Sequence, residues 1–390
     1  MSGRRDGVGS RSLGIPPWGF LGMIGLVAAI EWTLAGHDLA FTTPMHWDWR
    51  VTGKTATRTD RVFDKDLLIF GDSLAKFGIM PRVLKERSGK SAYNFALHTG
   101  QTSSSYFMLR RALRAGAKPT VVILELTPHM LAQGPMANET LWAELLSPGE
   151  LLDLSFSMRD PDFFTSTFLA EFLSSYQVRH EIRASFRASL RGENSSRRAE
   201  IPRYRRNWKV NDGAQLFADG PPPKLNLDEW NNTLYSRWSP HRVNLFYLDR
   251  FLTLARSNNV AVYWLLPPIH PDVQTRTENS GFDADYTRFV REVQGKFPEV
   301  AILDARRSGF DPEQFMDGIH VNRRGAMRLS TMVADAILES TPTAPSPRWV
   351  MAGIGRAGVL DLPIEDVEQS GRAIQARSVR LTGDRKDVHR

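Results

Sequence analysis

The chain has 390 residues, of which 42% are hydrophobic, and this is ample apolar material for a large core, so a wholly disordered protein is excluded. The absence of cysteine excludes disulfides, thiolate metal sites and cysteine nucleophiles, so any nucleophile must be oxygen or nitrogen. The formal charge of +7 is compatible with anionic lipid headgroups, anionic glycans or nucleic acid, and charge alone does not choose among them.

The first predicted element is an apolar segment at the N-terminus. The apolar run within residues 13–35 reaches the length of about 20 residues that a membrane span needs only if Glu31 lies at the interface. We therefore predict a transmembrane signal anchor over 13–35, a basic cytoplasmic N-terminus over 1–12 and a juxtamembrane link over 36–64. A cleaved signal peptide is the alternative, and either outcome places the rest of the chain outside the cytoplasm. The basic residues that set this orientation are Arg4, Arg5 and Arg11.

Beyond the link, short apolar strands alternate with amphipathic helices. The predicted strands are residues 66–70, 91–96, 121–126, 260–265 and 300–303. The predicted helices are residues 81–89, 104–115, 243–256, 286–297 and 325–339. Continuously apolar strands with helices between them are typical of a buried parallel sheet, so we predict an α/β fold. The expected architecture is a three-layer α/β/α domain over 65–340 with a parallel sheet of about five strands.

The alternation stops over residues 141–238, where an arginine-rich helical insertion is predicted. Arginines four residues apart lie along one helical stripe, which either faces an anionic partner or is an ordinary solvated face. These arginines are Arg179, Arg183, Arg187 and Arg191. Aromatic residues such as Phe163 and Phe168 predict that the first part of the insertion packs as a cap on the main domain. After it, the composition of 341–390 predicts a linker and a poorly ordered tail.

The candidate chemistry lies at strand ends. In an open parallel sheet, ligands bind beyond the carboxyl ends of the strands, and the first strand runs into Gly71-Asp72-Ser73-Leu74. A serine hydroxyl is a weak nucleophile until a base takes its proton, so Ser73 needs a histidine and a group that orients it. Asp317 and His320 follow the last predicted strand, and their three-residue spacing suits an orienting carboxylate and a general base.

The order and content of these segments resemble the SGNH/GDSL hydrolase superfamily, from the strand before Gly71 to the helix that begins at Gly325. The Gly-Asp-Ser-Leu block and the Asp-x-x-His block are both matched, and Asn322 also suits the pattern. The resemblance implies a flavodoxin-like sheet with Ser73 as nucleophile and with Asp317 and His320 as its partners. It further implies that the backbone N–H groups of Ser73 and Gly100 bind the oxyanion.

The third block of that superfamily, Gly-x-Asn-Asp, is where this sequence departs. The corresponding strand runs into Glu125-Leu-Thr-Pro-His129, so the asparagine donor is missing and His129 occupies the nearest equivalent place. Loss of one oxyanion donor typically costs about 2.7–4 kcal/mol of transition-state stabilisation. The further candidates for substrate contact are Asp72, Asn94, His129 and His270, of which Asn94 also suits a role in bracing its loop.

The expected function is an extracytoplasmic serine esterase or O-acyl(acetyl)transferase that acts on cell-envelope glycan, exopolysaccharide or lipid esters. In layout the chain resembles bacterial envelope O-acetyltransferase-like and D-alanyl-transfer-like proteins, which makes a membrane-bound acyltransferase a candidate partner. No metal site and no cofactor are expected, because there is no zinc-spacing cluster and no phosphate-binding glycine loop. The alternative is a non-catalytic SGNH-like protein that binds glycan or acts as a scaffold. Nucleic acid is not an expected partner, because an outward-facing domain would not meet it.

Overall fold

The fold is built on a six-stranded parallel sheet. The computed structural model describes residues 18–36, 43–192, 200–226, 238–339, 348–353 and 358–387. The strand order is β2-β1-β3-β4-β5-β6, and each neighbouring pair is parallel. The strands are β1 (Leu67–Phe70), β2 (Ala92–Asn94), β3 (Val121–Glu125), β4 (Ala261–Leu266), β5 (Ala301–Asp304) and β6 (Arg348–Met351).

Helices connect these strands and cover the sheet. Those before β4 are α1 (Trp18–Gly36), α2 (Pro44–Thr55), α3 (Thr59–Val62), α4 (Ser73–Gly78), α5 (Pro81–Ser88), α6 (Thr102–Arg114), α7 (Pro128–Ala132), α8 (Glu139–Leu145), α9 (Pro148–Met158), α10 (Pro161–Phe172), α11 (Ser174–Gln177), α12 (Arg179–Leu190), α13 (Ile201–Val210) and α14 (Arg242–Ser257). Those after it are α15 (Pro271–Asn279), α16 (Phe282–Lys296), α17 (Arg323–Glu339) and α18 (Val367–Asp387).

The core has two halves, one on each face of the sheet. Successive side chains of β1 alternate between the faces, and all four are fully buried. Leu68 and Phe70 belong to the half that contains α6, α14 and α16, whereas Leu67 and Ile69 belong to the half that contains α5 and α17. A strand that is apolar on both sides is therefore covered on both sides, which gives the three layers that the sequence predicts.

The sheet is one strand larger than expected. The additional strand is β6, which pairs with β5 in the register Ala301 to Arg348, inside the stretch expected to be linker and tail. The helix α18 lies in the same stretch, although residues 340–347, 354–357 and 388–390 lie outside the described residues. Composition alone missed β6 because the strand is short and only partly buried, so it lacks a continuous apolar run.

The predicted juxtamembrane link is largely helical and packs onto the α/β domain. Trp49 of α2 is fully buried, and its indole N–H donates to the carbonyl of His98 at 2.8 Å. Its ring meets Trp142 of α8 edge-on, with 5.0 Å between the ring centroids. Helices α2 and α8 therefore join the segment before β1 to the helical region between β3 and β4.

At the N-terminus, α1 covers most of the predicted membrane segment. Within the described ranges, no helix combines the length and the apolar character required to cross a membrane. The predicted span over 13–35 is therefore not confirmed, and residues 1–17, which include the expected cytoplasmic end, lie outside the described part.

The predicted insertion forms a series of helices, α7 to α13, between β3 and β4. It begins directly after β3 rather than at residue 141. Phe163 of α10 is buried in the core half that contains Phe70, as expected of a cap. Residues 193–199 and 227–237 of the insertion lie outside the described residues.

Candidate active site

The nucleophile candidate lies at a tight turn between β1 and α4. Gly71 has φ +150°, and a Cβ there would lie 2.5 Å from the carbonyl oxygen of Glu125, so only glycine fits without movement. Asp72 then caps α4, since its carboxylate accepts from Leu74 N–H at 2.9 Å and from the Thr127 hydroxyl at 2.5 Å. The turn presents Ser73 as the first residue of α4, at the carboxyl edge of the sheet.

The two distant sequence blocks meet at this edge. His320 Nε2 lies 2.8 Å from Ser73 Oγ, although the residues are 247 positions apart. His320 Nδ1 lies 2.8 Å from Asp317 Oδ2. An ionised carboxylate only accepts, so Nδ1 carries the proton and Nε2 is left free to accept from the serine hydroxyl.

The loop that carries the histidine is fixed by backbone contacts. Asp317 Oδ1 accepts from the N–H groups of Ile319 and His320, each at 2.8 Å. The N–H of Met316 donates to the carbonyl of His320 at 2.8 Å, and that of His270 donates to the carbonyl of Gly318 at 3.1 Å. The loop therefore holds the imidazole orientation before any substrate is bound.

Asp317 is held in its charged form. Burial alone would raise the pKa of this carboxyl, but hydrogen bonds from the His320 ring and from the backbone N–H groups of His320 and Ile319 outweigh it and hold the pKa below its usual value. The carboxyl keeps 43% side-chain exposure and the imidazole 18%, so the pair is reachable from solvent. Phe77 packs edge-on against the imidazole, with 5.5 Å between the ring centroids.

Gly100 brings the loop after β2 against the loop after β1. A Cβ at Gly100 would lie 2.3 Å from the carbonyl oxygen of Gly71, so the two loops touch through their backbones. The expected oxyanion role of the Gly100 N–H is not what the hydrogen bonds favour, because this group donates to the carbonyl of Leu97 at 3.1 Å. The N–H of Ser73 has no hydrogen-bond partner among the described residues, as is usual for the first residue of a helix.

Two of the candidate substrate contacts hold loops instead. Asn94 is fully buried, and its amide donates to the carbonyls of Ala75 and Ile79 at 2.9 and 3.0 Å and accepts from Ala96 N–H. His270 is 3% exposed and caps α15 through Nδ1, which accepts from Asp272 N–H. Neither residue lines the cavity, and Asn94 has the bracing role that its position in the sequence also suited.

His129 does line the cavity. Its Nε2 lies 2.5 Å from the Gln133 amide nitrogen, whereas its Nδ1 is buried with no partner among the described residues. Burial lowers the pKa of His129, against the opposing charge of Asp72, so the ring is neutral at neutral pH. In place of the missing asparagine of the third block, the loop after β3 carries Thr127, whose hydroxyl donates to Asp72.

A mostly apolar cavity of about 460 Å³ opens at Ser73 and His320. Asp72 and Thr99 lie at the same end, and the cavity continues over the carboxyl ends of the neighbouring strands. Its volume is within the range of about 300–1,000 Å³ typical of small-molecule sites. Its main apolar wall residues are Leu126, Leu266, Ile269, Val273, Phe282 and Tyr286.

Sequence reasoning missed a buried carboxyl behind the nucleophile turn. Glu125 is fully buried, and its Oε2 accepts from Asp72 N–H at 3.2 Å. Burial, and then the negative charge of Asp72, raise the pKa of Glu125 well above its usual value, which favours the neutral carboxyl. The available signal was a glutamate at the end of an otherwise apolar strand.

A second missed group is a buried charge cluster that joins α2 to α4. Lys76 and Asp48 are both fully buried, with 2.6 Å between Nζ and Oδ1. Asp48 Oδ2 lies 2.9 Å from His98 Nδ1. Lys76 is three residues after Ser73, so a charge in the nucleophile helix was visible in the sequence, but nothing in the pattern indicated its partner on α2.

Within the described ranges, no group of His, Asp or Glu side chains is arranged to hold a metal ion. One family model matches the chain over residues 54–326, which is more than half of its length, and its description is a protein of unknown function (DUF1574). The chain belongs to this family. The matched range includes Ser73, Asp317 and His320. No curated protein matches the sequence.

Proposed function

We propose that this protein is a serine ester hydrolase or O-acyltransferase that works through an acyl-enzyme on Ser73. The observation that carries the proposal is the continuous hydrogen-bonded line from Ser73 Oγ through His320 to Asp317, at the mouth of an apolar cavity. This arrangement of nucleophile, base and orienting carboxylate activates a serine hydroxyl on many unrelated folds. The resemblance to SGNH/GDSL hydrolases supports the same chemistry.

In the first half-reaction, Ser73 Oγ attacks the ester carbonyl carbon while its proton passes to His320 Nε2. The tetrahedral intermediate collapses when the bond to the alcohol oxygen breaks, and that oxygen takes the proton from Nε2. Asp317 keeps the proton on Nδ1 and stabilises the imidazolium that forms in between. The N–H of Ser73 is placed to donate to the oxyanion.

In the second half-reaction, a hydroxyl group resolves the acyl-enzyme. His320 Nε2 takes the proton of the incoming hydroxyl, whose oxygen attacks the acyl carbon. The bond between the acyl carbon and Ser73 Oγ then breaks, and Nε2 returns the proton to Oγ. Water as the acceptor gives hydrolysis, and a sugar hydroxyl gives transfer. Cell-envelope glycans, exopolysaccharides and lipid esters are the substrates that we propose.

Ester turnover tests the proposal directly. We expect the purified chain to release p-nitrophenol from p-nitrophenyl esters, and the Ser73→Ala variant to lose this activity. Ser257→Ala is the matched control, because this exposed serine ends α14 and donates only to the carbonyl of Thr253. Added acceptor sugar distinguishes transfer from hydrolysis, because only transfer gives an acylated sugar. Equal turnover by the Ser73→Ala variant would reject the proposal.

A second candidate is a non-catalytic glycan-binding or scaffold protein that partners a membrane acyltransferase. The hydrogen bond from Gly100 N–H to the carbonyl of Leu97 favours this candidate. With that N–H engaged and the third-block asparagine missing, the N–H of Ser73 is the one expected oxyanion donor that remains. This candidate predicts glycan binding that is unchanged in Ser73→Ala, with no ester turnover by either protein. Isothermal titration with envelope glycan, alongside the turnover assay, separates the two candidates.

Membrane attachment through α1, with the catalytic body on the extracytoplasmic side, belongs to the same proposal. Apolar side chains are exposed around this helix, among them Phe20, Met23, Leu26 and Trp32. Glu31 does not oppose this, because its carboxylate accepts from Ser175 N–H at 3.1 Å. We expect the full chain to sediment with membranes and to be degraded by protease added outside the cytoplasmic membrane. Recovery in the soluble fraction would contradict the attachment.

A further inference from the structure

The cavity at Ser73 runs across the carboxyl edge of the sheet. Leu126 follows β3, Leu266 ends β4 and Arg306 follows β5, and all three line the cavity. In the strand order, β3, β4 and β5 come one after another beside β1, the strand that leads to Ser73. The cavity therefore extends over three strand spacings to one side of the nucleophile.

This extent can be compared with a linear chain. Neighbouring strands lie about 4.8 Å apart, so three spacings amount to about 14 Å. One residue of a fully extended polypeptide has three backbone bonds and spans about 3.6 Å, so an extended chain advances about 1.2 Å per bond. A linear chain of about eight to twelve carbons therefore fits this length. An acetyl group would leave most of the cavity without contacts.

The walls are suited to an aliphatic chain. Leu266, Val273, Phe282 and Tyr286 are each at most 5% exposed, so their positions are fixed by the core. The one hydroxyl among them does not offer a polar contact, because Tyr286 donates to the carbonyl of Leu126 at 2.7 Å.

The charged groups at the far end are already paired. The Arg306 guanidinium donates to Asp304 at 2.7 Å and to Asp283 at 2.8 Å. Burying a second charge beside this network would leave it without a partner, which is costly in an apolar site. A charged chain end is therefore disfavoured, and an uncharged aliphatic end is favoured.

From the extent, the walls and the paired charges, we infer that the acyl group carried on Ser73 is a linear aliphatic chain of about eight to twelve carbons rather than acetyl. This inference rests on the proposed function of Ser73 and adds the class of acyl donor. The donor is an ester of a medium-chain fatty acid, and the bond broken is still its ester C–O bond.

The test measures kcat/KM for p-nitrophenyl esters from acetyl to hexadecanoyl, each below the concentration at which it aggregates. We expect a rise of about fourfold per added methylene, which corresponds to ~0.8 kcal/mol for a buried CH₂, up to about ten carbons and a fall beyond. Acetyl turnover equal to or faster than decanoyl turnover would overturn the inference and leave the proposed function standing. Absence of turnover at every length would overturn both.

A substitution in the wall gives a second, independent measurement. Val273→Phe adds a ring inside the cavity, and we expect the decanoyl to acetyl ratio of kcat/KM to fall at least tenfold. Val293→Phe is the matched control, since Val293 lies on α16 away from this cavity, and its ratio should equal that of the wild type. An unchanged ratio in Val273→Phe, with thermal unfolding like that of the control, would contradict the assignment of this cavity to the acyl chain.

Discussion

Replacement of Asp48 by asparagine removes the counter-charge of Lys76, which is fully buried on the helix that begins at Ser73. Among the described residues, the Lys76 ammonium contacts the Asp48 carboxylate at 2.6 Å and the carbonyl of Ala96 at 3.0 Å. Burial lowers the pKa of Lys76 and the charge of Asp48 opposes this, so the ammonium depends on that carboxylate. Removal of one partner of a buried ion pair typically lowers the free energy of unfolding by about 3–5 kcal/mol, and we expect a decrease of this size for Asp48→Asn.

Replacement of the other partner, Lys76, is expected to lower the free energy of unfolding by less. After Lys76→Met, the Asp48 carboxylate keeps hydrogen bonds from the His98 ring at 2.9 Å, from His98 N–H at 3.3 Å and from the Thr52 hydroxyl at 3.3 Å. The double variant Asp48→Asn/Lys76→Met removes both charges, so we expect it to be more stable than Asp48→Asn alone by at least about 1 kcal/mol.

Urea unfolding followed by tryptophan fluorescence measures these differences. Asp60→Asn is the matched control, because Asp60 is paired with Arg58 on the exposed surface and its loss should leave the unfolding midpoint unchanged. The reasoning would be refuted if Lys76→Met were as destabilising as Asp48→Asn, or if the double variant were the least stable of the three.

The remaining predictions concern the carboxyl edge of the sheet, where Ser73 lies. Glu125→Gln should be more stable than the wild type at neutral pH and equally stable near pH 4. The pKa of Glu125 is raised in the folded state, so the wild type loses stability as pH rises above the pKa of the unfolded chain, about 4.3. Parallel pH profiles of the urea midpoints would contradict this. Asp317→Asn should lower kcat on the order of a hundredfold or more with little change in KM, because asparagine no longer holds the proton on Nδ1 of His320; wild-type kcat would exclude the orienting role. Gly100→Ala should lower stability by about 1–3 kcal/mol, because its Cβ would clash with the Gly71 carbonyl; calorimetry that gives an unchanged melting temperature would rule out this close approach.

The strands of the central sheet were predictable because they are short, continuously apolar runs. The runs that contain β1, β3, β4 and β5 could each be recognised, and the structure shifts their ends by at most one residue. β6 could not be found in this way, since its four residues include Arg348 and are only partly buried. Helix α15 was also missed, because Pro271 and the polar residues that follow resemble a loop.

At the site, the sequence was informative where a motif includes the reacting side chain, and less so where the support is long-range. Ser73, Asp317 and His320 could be named from two short blocks. Their meeting also depends on contacts between distant residues, such as that of His270 N–H with the carbonyl of Gly318, and these leave no local pattern. Asp48 is the clearest case, because its pairing with Lys76 is visible only in three dimensions.

The same limit applies to Asn94 and Gly100. Asn94 has a side chain that suits substrate binding, but its three hydrogen bonds to the backbone consume it. Gly100 has a backbone N–H that suits an oxyanion hole, but a turn to Leu97 uses that group. A residue type indicates what a side chain is able to do, whereas its partners decide what remains available.

Covalent labelling with a fluorophosphonate probe tests the central claim, which is that His320 activates Ser73. We expect stoichiometric labelling of the wild type, located by mass spectrometry on the peptide that contains Ser73, with no labelling of Ser73→Ala and much slower labelling of His320→Ala. Labelling of Ser73→Ala at the wild-type rate, or His320→Ala indistinguishable from the wild type, would contradict the account.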